Sequence, residues 1–109
     1  MPINEVVVRL RAVLGARLVA YIGNVTTTIV VRAWADGKAV PDAENDARLR
    51  TAVYALGILE LCLDPVTIGT WFQGMNPILG DVSPARFIRN AEPQAATDVL
   101  VAARSMLIE

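Results

Sequence analysis

The chain contains no histidine. That absence removes imidazole general acid/base catalysis, Ser-His-Asp triads, Cys-His dyads and most zinc sites in one step. Cysteine is nearly absent as well: Cys62 stands alone, without an internal disulfide partner or a second thiol or imidazole to share a metal. Lying in an apolar helical pattern, it reads as a small buried hydrophobe. Long apolar runs are missing too. The longest candidates, Ile29 to Trp34 and Ala55 to Leu63, are too short or too interrupted for the ~20 residues of a bilayer span. The start of the chain lacks a signal peptide's order of charge, apolar run and cleavage site, so a cytoplasmic protein without membrane contact is expected. Carboxylates are present at Asp64, Asp81, Glu92 and Asp98, but no spacing places two of them beside a cleft. The expectation is therefore a non-enzyme with no catalytic residue, metal ligand or cofactor.

What is present is apolar aliphatic surface. At 109 residues the chain is long enough for one domain, or for two small helical subdomains sharing a core, and its 54% hydrophobic content leaves apolar area over after folding. Oligomers and obligate complexes bury such area against a partner. The net charge of −1 argues against a strong nucleic-acid binder, but the charge is unevenly spread. Arg9, Arg11, Arg17, Arg32 and Lys38 face only Glu5 and Asp36 in the first third, whereas Arg48 and Arg50 are outnumbered by Asp42, Glu44, Asp46, Glu60 and Asp64. The basic end is a modest field, and its hold on DNA would fall steeply with salt.

In chain order, Asn4 is a cap for a first helix to Leu14, with Val6, Leu10, Val13 and Leu14 on one stripe and Gly15 as its stop. A second helix, Ala16 to Ile22, ends at Gly23-Asn24, two residues that tolerate a tight turn. Thr26 or Thr27 caps a third, through Ala35, closed by Gly37. Two short helices about a Gly/Asn turn, followed by Trp34-x-x-Gly37 and Pro41, are similar to a helix-turn-helix of the Xre type. In that arrangement Thr26, Thr27 and Thr28 meet bases or phosphates, Arg32 and Lys38 reach the backbone, and Val30 and Trp34 are core. A unit retained only as a structural module is the alternative.

Asp42 and Asn45 are alternative caps for the longest helix, which is predicted to end at Leu63, before Asp64-Pro65. Leu49, Ala52, Val53, Leu56, Leu59 and Leu63 form its main stripe; Ile58 and Leu61 widen it until the helix is nearly apolar all round. Such a helix is central, and its second apolar side is a candidate dimer face, with Gly57 permitting a close crossing. A helix from Pro65 to Gln73 stops at Gly74; Ser83-Pro84 starts another through Arg89; Glu92-Pro93 begins the last, with Val99, Leu100, Ala103, Met106 and Leu107 as its stripe.

The stretch from Thr70 to Arg89 is the one segment that helix burial alone does not explain. It sets Trp71, Phe72, Met75, Ile78, Leu79, Phe87 and Ile88 among turn signals at Gly74, Asn76-Pro77, Gly80-Asp81 and Ser83-Pro84. A segment of this kind either plugs the end of a helical core or forms a surface that another protein meets.

Taken together, a helix-turn-helix ending in WADGKAVP, a central helix, and a Trp71-led segment with Asn76-Pro77, Leu79, Pro84, Phe87 and a final helix resemble the Xre/MbcA/ParS-type antitoxins. The resemblance runs from about Leu18 to the end of the chain. It implies an all-α fold: an Xre-like helix-turn-helix unit over 1–41, a long central helix over 42–64 with a dimer face, and a small toxin-binding unit over 65–109. It further implies the antitoxin of a type II pair, which neutralises a RES-domain, NAD-degrading toxin by occluding its active site. Such a protein forms a homodimer or a hetero-oligomer with its toxin and can bind its own operator DNA. Carried over to this sequence, the toxin-binding residues are Trp71, Asn76, Leu79, Arg86 and Arg89, with the tail Met106, Leu107, Ile108 and Glu109. Trp71 and Phe87 are expected to pack rather than to touch the partner. The alternative function is a DNA-binding transcriptional regulator that dimerises through its C-terminal unit.

Overall fold

A computed structural model describes residues 1–90 and 95–108. Among these the chain forms seven α-helices: α1 Ile3–Leu14, α2 Ala16–Ile22, α3 Thr28–Ala35, α4 Ala43–Leu59, α5 Pro65–Gln73, α6 Pro84–Arg89 and α7 Ala95–Ile108. A 3₁₀ turn, Pro77–Leu79, lies between α5 and α6, and the only extended pairing among the described residues is a single antiparallel bridge from Asn76 to Val82. The expected all-α class is what the chain adopts. The predicted start of the last helix at Glu92-Pro93 lies outside the described residues.

Most helix ends follow from local chemistry. The side chains of Thr27, Asp42, Asp64 and Ser83 each accept a backbone N–H one to two residues into α3, α4, α5 and α6, satisfying a donor that the first turn leaves orphaned. Pro65 and Pro84 occupy first-turn positions, where a missing N–H costs nothing. Gly15 separates α1 from α2 at φ 84°, a left-handed conformation that L side chains rarely adopt. Between the alternative caps of α4, Asp42 accepts from the Asn45 N–H at 2.8 Å, which leaves Asn45 to accept from Arg48 at 2.6 Å.

Three expectations are corrected. The first helix is not capped by Asn4; it begins earlier, behind Pro2, and Asn4 lies within its first turn. The central helix ends at Leu59 rather than Leu63, because Glu60, Leu61 and Cys62 fold back in a turn, with N–H groups donating to Leu56, Ile58 and Leu59. Cys62 therefore stands exposed on that turn instead of being buried in a helix. Leu61 is 76% exposed for the same reason. With Tyr54 also exposed, part of the apolar surface of this stretch is not buried within the monomer.

The core is one contiguous cluster to which helices from all three stretches contribute: Val6, Val7 and Leu10 from α1, Val31 and Trp34 from α3, Leu49, Leu56 and Leu59 from α4, Ile68 and Phe72 from α5, Val99 and Ala103 from α7. α4 packs most extensively on α7, α1 lies against α2, α3, α4 and α5, and α6 bridges α2, α5 and α7. A radius of gyration of 12.8 Å matches the ~13 Å of one domain of this length.

The Asp64 cap yields a pH prediction. Its carboxyl is held below its ordinary value by hydrogen bonds from the Thr67 hydroxyl and then the Thr67 N–H. A depressed folded pKa contributes stability that is fully present above the unfolded value of about 3.9 and is lost as pH falls through the folded one. Asp64→Asn keeps a capping oxygen but not the charge. Its melting temperature is expected to fall less than that of the parent chain on acidification below about pH 4. Parallel acid limbs in thermal melts of the two proteins would show that the cap's charge contributes nothing.

Candidate functional site

The α2–turn–α3 unit is held by packing behind it. Trp34 is only 3% exposed, and Val19, Ala20, Ile22 and Val31 are buried with it, so the two helices share one apolar contact. Gly23 is buried between them. A Cβ there would lie 3.0 Å from Trp34 Cζ3 and 3.2 Å from the Val19 carbonyl oxygen, so the residue is glycine for space rather than for backbone conformation. Asn24 then turns the chain at φ 58°. This leaves Thr26, Thr27, Thr28, Ile29 and Arg32 exposed on one face. Thr27 Oγ1 accepts the Ile29 N–H at 3.1 Å, so its side chain is committed to the cap. Val30, expected in the core, is half-buried; Val31 takes the buried position.

Two shallow clefts flank α3 and share Thr28. One, of about 680 Å³, is lined by Arg17, Tyr21, Val25, Thr26 to Thr28 and Arg89. The other, of about 290 Å³, is lined by Arg11, Ala16, Thr28, Ile29 and Arg32. Neither has a carboxylate in its lining. The ion pairs among the described residues join other cations: Arg9 to Glu60, Arg48 to Glu44 and Arg50 to Asp46. Arg11, Arg17, Arg32 and Arg89, carried on α1, α2, α3 and α6, thus place four uncompensated positive charges around one helix. Lys38 is exposed in the turn closing α3 and lines neither cleft.

Arg89 is the residue whose place departs most from its expected role. Its Nη1 donates to the Tyr21 carbonyl oxygen at 2.6 Å, and its guanidinium carbon lies 4.7 Å from the centre of the Tyr21 ring. It faces α2 and the threonines, not a surface confined to the C-terminal stretch.

The remaining C-terminal candidates divide into core and surface. Leu79 is 5% exposed and belongs to the core, and Met106 packs against it half-buried. Trp71 is half-buried and meets Phe72 edge-on with centroids 5.1 Å apart; its indole N–H is buried without a partner among the described residues. Asn76 is used by the turn, accepting the Ile78 N–H at 3.0 Å. Met75 and Ile78 are exposed on the same turn, and Arg86, exposed on α6, lines a cleft of about 360 Å³ with Val82, Phe87 and Asn90. Leu107 is exposed at the end of α7 and Ile108 is 87% exposed, while Glu109 lies outside the described residues. Beside α4, an apolar groove runs past Val53, Tyr54, Gly57, Ile58 and Leu61 to Leu100 and Arg104 of α7.

No group of three or more Cys, Asp or Glu side chains among the described residues is arranged to hold a metal ion, and no described helix is long and apolar enough to cross a membrane. Comparison with protein-family models, with characterised proteins and with solved structures finds no match. Sequence reasoning missed Arg11, Arg17 and Tyr21 as members of the α3 face. The first two were visible as cations off the apolar stripe of a basic segment; nothing local distinguishes Tyr21.

Proposed function

We propose that this chain is a helical antitoxin that uses two surfaces, one to cover a partner enzyme and one to meet DNA. The carrying observation is the separation of exposed chemistry. Apolar Met75 and Ile78 are exposed on the turn-rich segment that leads to the exposed Arg86, whereas the clefts around α3 set arginines among Thr26 to Thr28, with Ile29 and Tyr21 as their exposed apolar members. Exposed Met and aliphatic side chains next to an arginine are the composition of a protein-binding patch. The resemblance of the Trp71 to Arg89 stretch to RES-partnered antitoxins supplies the partner: an NAD-degrading toxin whose pocket mouth this loop, with Leu107 and Ile108, fills. The mechanism is steric, and the chain performs no catalysis. A second copy pairs along the α4 groove through Tyr54 and Leu61.

The test is co-expression with the neighbouring open reading frame, followed by size-exclusion chromatography and an assay of cellular NAD. A co-eluting complex is expected, with NAD falling only when this chain is withheld. The double variant Ile78→Asp, Arg86→Glu should abolish co-elution while leaving the melting temperature nearly unchanged, since both side chains are exposed. Undiminished co-elution would remove this patch from the interface. A harmless neighbour that does not co-elute would remove the antitoxin reading.

The second reading, a DNA-binding regulator without a toxin, is favoured by the four arginines around α3. It predicts duplex binding by the chain alone, at low salt, with no toxic neighbour.

A further inference from the structure

We infer that Arg89, though carried on α6 in the C-terminal stretch, is part of the DNA-facing surface and holds a backbone phosphate there. The inference rests on the reading of the α3 face as a nucleic-acid surface and assigns that surface a residue from outside the helix-turn-helix.

The first argument is placement. Arg89 lines the same cleft as Arg17 and Thr26 to Thr28, and that cleft shares Thr28 with the one lined by Arg11 and Arg32. A run of arginines without carboxylates suits a polyanion that passes over the surface. A duplex presents phosphates in regular succession, and a helix in the major groove is flanked by phosphates of both strands. Arg17 and Arg89 line one cleft and Arg11 with Arg32 the other, so cations lie in both of the clefts that meet Thr28 at the start of α3.

The second argument is preorganisation. One of Arg89's five N–H donors is committed to the Tyr21 carbonyl, and its plane is set by the Tyr21 ring, so the side chain is already fixed. Its other donors have no partner among the described residues, and little rotamer entropy is left to lose when they meet an oxygen. Arg48, ion-paired to Glu44 on α4 and lining neither of these clefts, serves as the control.

The experiment measures binding of the full chain to a fluorescent mixed-sequence duplex at several salt concentrations. For each phosphate contact removed, the slope of log affinity against log salt should become shallower by about 0.9. Arg89→Gln, Arg17→Gln and Arg32→Gln are expected to show that change; Arg48→Gln should keep the parent slope. Arg89→Lys should recover most of the slope, since a phosphate accepts a point charge whereas the Tyr21 stacking geometry is specific to guanidinium. If Arg89→Gln lowers the melting temperature, Arg17→Gln, which has no internal hydrogen bond among the described residues, tests the same side of the surface without that complication. A changed slope for Arg32→Gln with the parent slope for Arg89→Gln overturns the inference alone, whatever Arg17→Gln shows. Parent slopes for all of them, or no binding by the parent chain, overturn the DNA reading beneath it.

Discussion

Phe72→Ala is expected to lower stability by about 3–5 kcal/mol, a large share of the ~5–15 kcal/mol typical of a domain. Phe72 is the largest of the fully buried side chains, and its helix, α5, packs against both α1 and α6. Partial relaxation around the vacated ring would leave a cavity whose walls have lost their packing partners. The melting temperature should fall on the order of 15–30 °C. Because α1, α3, α4, α5 and α7 feed one buried cluster, the loss should appear as a single shifted transition by calorimetry and by circular dichroism alike. Two transitions, with only the later one moved, would mean that 65–109 folds apart from 1–41.

Much of this architecture could be read from the sequence where a side chain acts on its own backbone. Ala16–Ile22, Pro65–Gln73 and Pro84–Arg89 have their predicted bounds because Gly15, Asp64-Pro65, Gly74 and Ser83-Pro84 act within a turn of where they stand. The end of the central helix was illegible for the opposite reason. Glu60-Leu61-Cys62-Leu63 continues the apolar period without a glycine or proline, and the reversal there is fixed by Leu63 reaching back to Leu59 and by the Arg9–Glu60 ion pair from α1. The site divides in the same way. Thr26, Thr27, Thr28 and Arg32 could be placed on one face by period alone, but Arg89 meets Tyr21 across 68 residues, and no local pattern encodes that contact.

Gly23→Val is the second large effect expected. The added Cβ would meet the Trp34 ring and the Val19 carbonyl at 3.0 and 3.2 Å, and the branched methyls would require still more room. Neither neighbour is the free end of a flexible chain, so the α2–α3 contact must open. Overpacking of this kind costs about 1–3 kcal/mol. The displaced indole gives a direct readout: in a Trp71→Phe background, Trp34 emission should move to longer wavelength as its ring meets water. If the α3 face meets DNA as proposed, affinity should drop with it, since α3 would no longer be held at its angle to α2. Parent-like emission and melting in the valine variant would show that the turn has slack that the packing does not suggest.

The exposed turn after α4 makes the chain convenient for spectroscopy. With one thiol in the whole sequence, and that thiol at the surface, a maleimide dye attaches at a single defined position without mutagenesis. Cys62 follows directly on Leu61, at the edge of the α4 groove. A pyrene label there would emit as an excimer when two copies bring their grooves together and as a monomer when they do not, so the mode of self-association is readable by colour in the unaltered protein.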